Sequence, residues 1–127
     1  MATGISSYLA NAWLDALGNN SSFAVTTVYV KLHVSDPGAN GTSGAATETT
    51  RKAASFAAAS TGAIASDAAI TWTNIAGSQD ATHFTAWDNE TAGNFLFSGT
   101  ITANAYTAGD TFTISSGALT VSLTLAS

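Results

Sequence analysis

The stretch Thr26–Gly38, TTVYVKLHVSDPG, constrains this chain more than any other. Val28, Val30, Leu32 and Val34 alternate there with Tyr29, Lys31 and His33. A period of two in β-branched residues puts one set of side chains on each face of an extended strand. Asp36-Pro37-Gly38 then ends the strand. Proline brings no N–H to a ladder and fixes φ for a turn, and glycine accepts the dihedrals that follow. The expectation is a central strand of a β-sandwich, with what precedes and follows packed upon it.

Other strands follow from the same pattern. Ala68–Asn74 sets Ile70 and Trp72 against Thr71 and Thr73. Thr82–Asp88 sets His83, Thr85 and Trp87 against Phe84 and Ala86. Asn89–Asn94 turns the chain and Phe95–Ile101 returns it, which predicts a hairpin. A last pair, Thr111–Ile114 and Ala118–Leu125, is joined by Ser115-Ser116-Gly117, with Leu119, Val121, Leu123 and Leu125 pointing inward. Glu48–Ala54 reads as a further strand, Ala53–Ser60 as extended chain, and Ile75–Ala81 as a loop. The loop Ser35–Thr47 has no hydrophobic anchor and is expected to be exposed, and mobile unless a partner orders it. Ahead of all this, Thr3–Leu17 predicts a helix capped by Thr3. Its apolar face carries Ile5, Leu9, Ala12, Trp13, Ala16 and Leu17, and Gly18 ends it. Tyr8 and Trp13 are either core or anchors of a contact with another subunit. The fold class is therefore mainly β. It is a single β-sandwich or flattened barrel of six to eight short, mostly antiparallel strands over 26–125, with an N-terminal α-helix over 3–17. The whole of 1–127 forms one domain.

Charge narrows the function. Only 9% of residues are charged, with eight acids against Lys31, Arg51 and Lys52 for a net charge of −5. Three cations cannot line a nucleic-acid groove, so that class is excluded. A surface this neutral is expected to be covered by neighbours in an assembly. There are no cysteines, hence no disulfide, thiolate metal site or Cys nucleophile. No apolar run has the length of a membrane span, and the N-terminal stretch lacks the basic leader of a signal peptide. An intracellular bacterial or viral product is expected.

Chemistry-bearing patterns are sparse. His33 and His83 could meet across a sheet and hold a metal with Asp88 or Asp36, but satisfied strand histidines are commoner. Asp88–Gly93 begins like a calcium loop, yet Ala92 and Gly99 stand where ligands are needed, so a hairpin turn explains it better. There is no nucleophile elbow, no carboxylate pair spaced for glycoside cleavage, and no P-loop or dinucleotide fingerprint. Asn19, Asn20, Asn40 and Asn89 head N-x-[ST] triplets that a Ser/Thr-rich chain contains by chance. No enzyme and no cofactor is expected. Trp72, Trp87 and Tyr29 could form an exposed stacking platform for carbohydrate.

SYLAN in the first helix, VYVKLHVSDPG, a small-residue segment and TAGDTFTISSGALTVSL occur in an order that resembles a family of small virion proteins of tailed bacteriophages. Its members are described as tail-fibre-like, minor tail or head decoration proteins. The resemblance is strongest at Ser7–Asn11, Val28–Gly38 and Ala108–Leu123. It implies a β-rich structural subunit of the virion, assembled in the host cytoplasm, with no catalytic residues to carry over. Low charge and the absence of fibrous repeats favour a capsid decoration protein that bridges capsomers. The alternative is a minor tail or fibre-associated component involved in host recognition. The partners would be the major capsid protein, or tail proteins, and further copies of the chain, such as a trimer. Candidate contacts are Tyr8 and Trp13 on the helix, Asp36 and Pro37 in the loop, and Glu90 at the hairpin tip.

Overall fold

The computed structural model describes residues 3–126. It contains one helix, α1 (Ser7–Gly18), and eight strands: β1 (Val28–His33), β2 (Lys52–Ala54), β3 (Ala63–Ala65), β4 (Ile70–Trp72), β5 (Gln79–Trp87), β6 (Phe95–Tyr106), β7 (Phe112–Ile114) and β8 (Thr120–Ser122). A four-stranded sheet has the order β2-β1-β5-β6, and two ribbons, β3-β8 and β4-β7, accompany it. Among the described residues every pairing is antiparallel and no barrel closes, so the fold is mainly β and sandwich-like. The alternating stretch forms β1, and β1 does lie inside its sheet, between β2 and β5.

Pairing explains where the core lies. Val30, Ala86 and Phe97 stand in register across β1, β5 and β6, and Leu32, Phe84 and Gly99 form the next row. These rows join Ile70, Trp72, Phe112, Ile114, Ile75 and Leu119 in one buried cluster. Gly99 is needed there. A Cβ at this position would sit 2.8 Å from the Phe84 ring. The opposite face carries three further rows: Tyr29–Trp87–Phe95, Lys31–Thr85–Ser98 and His33–His83–Thr100.

Several expectations are corrected. The helix begins at Ser7, capped by Ser6 rather than Thr3: Ser6 Oγ accepts the Leu9 N–H at 3.1 Å. Residues 4–6 run extended along the outer edge of β6. Ser6 N–H donates to the Leu96 carbonyl and Ser98 N–H to that of Gly4, each at 2.8 Å. A side-chain cap at Ser6 and a satisfied strand edge outweigh a longer helix. Of the anticipated apolar stripe only Leu9 is buried, and Leu17 is 84% exposed.

The final two strands do not pair with each other. β7 pairs with β4 and β8 with β3. Ser66 is the cause. Its buried hydroxyl accepts the N–H groups of Gly117 and Leu119, and its backbone bonds both residues, drawing the connection across to the other ribbon. Leu119 is buried as expected, but Leu123 and Leu125 are more than half exposed. β3 was not expected, because Ala-Ile-Ala carries no alternation. β6 is longer than the Phe95–Ile101 segment, running on to Tyr106.

The loop after β1 is a packed turn rather than a loose one. Val34 N–H bonds the Gly44 carbonyl, Ala46 N–H that of Leu32, and Ser43 N–H that of Pro37. Among the described residues no helix is long and apolar enough to cross a membrane.

Candidate contact surface

The three contact elements expected from sequence converge on Phe95. The carbonyl of Phe95 accepts Ser6 Oγ at 2.6 Å, which fixes the start of α1. The Pro37 loop reaches the Phe95 ring through Gly41, whose φ is +71° and whose missing Cβ would fall 2.7 Å from that ring. Residues 88–94 form the hairpin turn that leads into Phe95. A cleft of about 400 Å³ runs between the first and second of these elements, lined by Thr3, Ser6, Ser7, Ala39, Asn40 and Phe95.

Each candidate residue has a definite place. Tyr8 is 42% exposed, its ring set edge-on to Phe23 at 6.2 Å. Trp13 is half-buried against the core. Asp36 Oδ1 accepts the Gly38 N–H at 2.9 Å, a local turn closure. Pro37 is fully buried, so this loop meets solvent through Ala39, Asn40 and Thr42 instead. Glu90 is exposed at the hairpin tip.

That tip is clamped by a residue the sequence reading left without a role. Arg51 donates from Nη1 to the carbonyls of Asn89, at 2.8 Å, and Ala92, at 2.6 Å. Its guanidinium lies 4.2 Å over the Trp87 ring. Both Asp88 oxygens are occupied by Asn94, from its N–H and its Nδ2. The supposed calcium-loop start is thus a hairpin turn whose carboxylate is already satisfied. Sequence held only a weak signal for the clamp: an arginine in a chain with two other bases.

The histidines do face each other across β1 and β5. His33 has both nitrogens engaged, however. Nδ1–H donates to the Ser43 carbonyl at 2.8 Å, so Nε2 accepts from Thr85 Oγ1 at 2.9 Å. Thr85 Oγ1 in turn accepts the Trp87 indole N–H at 2.8 Å. Burial holds the His33 imidazole below its ordinary range; the Ser43 carbonyl opposes this, and the charges of Lys31 and His83 reinforce it. The ring is a neutral tie between strand and loop.

The expected aromatic platform is not exposed. Trp72 is 1% accessible, on the inner side, with its indole N–H on the Thr50 carbonyl, and Trp87 is 8% accessible beneath Arg51. Exposed large apolar side chains occur instead on the outer side of α1, at Leu14 and Leu17, and beyond β8, at Leu123 and Leu125. Leu14 went unnoticed in the sequence because it lies off the stripe that ends in Leu17.

Residues 4–122 match the family described as podophage GP4 fiber I protein gp80. The chain belongs to that family. The match spans nearly all of the described fold, from the edge segment before α1 to the end of β8. It places the chain among small virion proteins of tailed phages, and its description moves the weight from capsid decoration to a fibre. No curated protein matches the sequence.

Proposed function

We propose that this protein is a fibre-associated structural subunit of a tailed-phage virion, working by association and not by catalysis. The single observation that supports this most is the match of residues 4–122 to a podophage fibre family. The subunit meets other virion components through the end gathered on Phe95, with the start of α1 at Tyr8, the Asp36–Pro37 loop through Ala39 and Asn40, and the clamped tip at Glu90, and along the α1 face that carries Trp13, Leu14 and Leu17. Burying the apolar part of that surface contributes about 25 cal/mol per Å² before ordering costs. Repetition of the subunit, as a trimer or larger set, makes a weak single contact adequate. The whole chain folds as one domain in this reading. A role in host recognition fits a fibre position.

Capsid decoration is the second reading, supported by the low charge, which suits a protein held in many copies against the major capsid protein. Densitometry of purified virions separates the two. A fibre component is present in few copies, and gold-labelled antibody marks the tail region. Hundreds of copies spread over the head would instead establish decoration.

A further inference from the structure

The outer face of the four-stranded sheet carries two of the chain's three basic residues, on a molecule whose net charge is −5. The β1–β2 register ends at Val30 and Lys52, and its continuation by one residue brings Lys31 toward Arg51, which immediately precedes β2. Burial, and after it the Arg51 charge, depresses the Lys31 ammonium, so the two cations act on each other. Like charges directly across a sheet are unfavourable, and this chain has eight carboxylates with which to avoid the arrangement. It does not use them here. Lys31 makes no side-chain hydrogen bond among the described residues, and Arg51 spends Nη1 on two carbonyls. The closest counter-charge to Arg51 is Asp88, whose oxygens are committed to Asn94. Lys52, by contrast, alternates to the other side, where its charge supports Glu48. Half-buried Tyr29 and, two rows along β5, half-buried His83 flank Lys31 on the same face.

We propose that the Lys31–Arg51 face binds an oxyanion, a carboxylate or phosphate group carried on a saccharide. Lys31 supplies an ammonium with no hydrogen-bond partner among the described residues, Arg51 a guanidinium already oriented by the hairpin tip and the Trp87 ring, and Tyr29 an apolar ring edge beside them. An anion placed between the two cations relieves their repulsion, so binding stabilises what the free protein holds under tension. Lys31 and Arg51 are half-buried above the buried Thr85 and Trp87, at the surface of a sheet, which suits a group displayed on a polymer rather than an enclosed metabolite. Only the saccharide part rests on the fibre reading; the oxyanion part rests on the two cations.

The test is a titration of the full chain, observed by backbone amide and indole NMR shifts. The probes are oligogalacturonate, glucose 6-phosphate, inorganic phosphate and neutral galactose oligomers. Shifts at Tyr29, Lys31, Arg51 and the Trp87 indole with one or both sugar anions support the proposal, and which anion acts identifies carboxylate or phosphate. Because the net charge of −5 repels anions in general, such binding reports a site and not bulk attraction. Lys31→Gln should weaken it about tenfold or more while the fold is kept and the thermal midpoint holds or rises, and Lys52→Gln should leave it intact. Silence at this face with both sugar anions, or unchanged affinity in Lys31→Gln, overturns the proposal. Equal response to inorganic phosphate removes the saccharide from it. Locating the protein on the virion is a separate measurement, so failure of this site and failure of the fibre reading are told apart.

Discussion

At the scale of single residues, packing leaves little freedom on the inner face. Gly99→Ala would drive a methyl into the Phe84 ring, which is held edge-on by Phe97 at 5.8 Å. We expect a loss of about 1–3 kcal/mol, read as a lower denaturant midpoint. The reverse is expected at Tyr106, whose hydroxyl is buried with no hydrogen-bond partner among the described residues. Tyr106→Phe removes that cost and should leave stability unchanged or raise it by up to about 1 kcal/mol. Two buried titratable groups predict acid sensitivity. The His33 imidazole is depressed below 6.5 in the fold, so the unfolded chain gains its proton first as pH falls. Its contribution is complete above about 6.5 and is lost progressively below that. At Glu48, burial pushes the carboxyl up, but bonds from Ala76 N–H and from Thr50, with the Lys52 charge, outweigh it and hold the group below 4.5. Its contribution is therefore present above about 4.5 and lost below. Thermal midpoints should fall in both windows. In His33→Gln the upper slope, which begins below about 6.5, should flatten while the lower one persists.

At the scale of elements, the legible parts were those that local chemistry decides. β1 was legible from its alternation, β4 from Ile70 and Trp72, and the β5–β6 hairpin from the turn residues between its strands. The crossing of β7 and β8 to different partners was not, because the Ser66 hydroxyl that directs it lies some 50 residues away in sequence. The start of α1 was misplaced for a similar reason: residues 4–6 answer to the edge of β6, a partner no local pattern reveals. Ser6 ties these two roles together through its bonds to Leu9 and to Phe95. Ser6→Ala should cost about 1–2 kcal/mol and fray the first turn, seen as reduced far-UV helical signal and faster amide exchange at Leu9 and Ala10. The candidate contact elements are legible in sequence by type, as a terminal helix, a Pro-Gly loop and a hairpin tip. Their meeting at Phe95 is not, nor is the Arg51 clamp, since both depend on tertiary approach.

At the scale of the whole molecule, a sparsely charged, β-rich body belongs to a family of phage fibre proteins. From Thr91 onward Asp110 is the only charged residue, so β6, β7 and β8 present an almost neutral surface. Such a surface is suited to contact with neighbouring subunits and offers little electrostatic protection when bare. The most direct measurement is the position and copy number of this chain on intact particles, by labelled antibody in electron microscopy together with quantitative gels. The account predicts label at the tail fibres and a copy number in the range of a fibre component. Label covering the head in hundreds of copies, or a protein absent from purified particles, would contradict it.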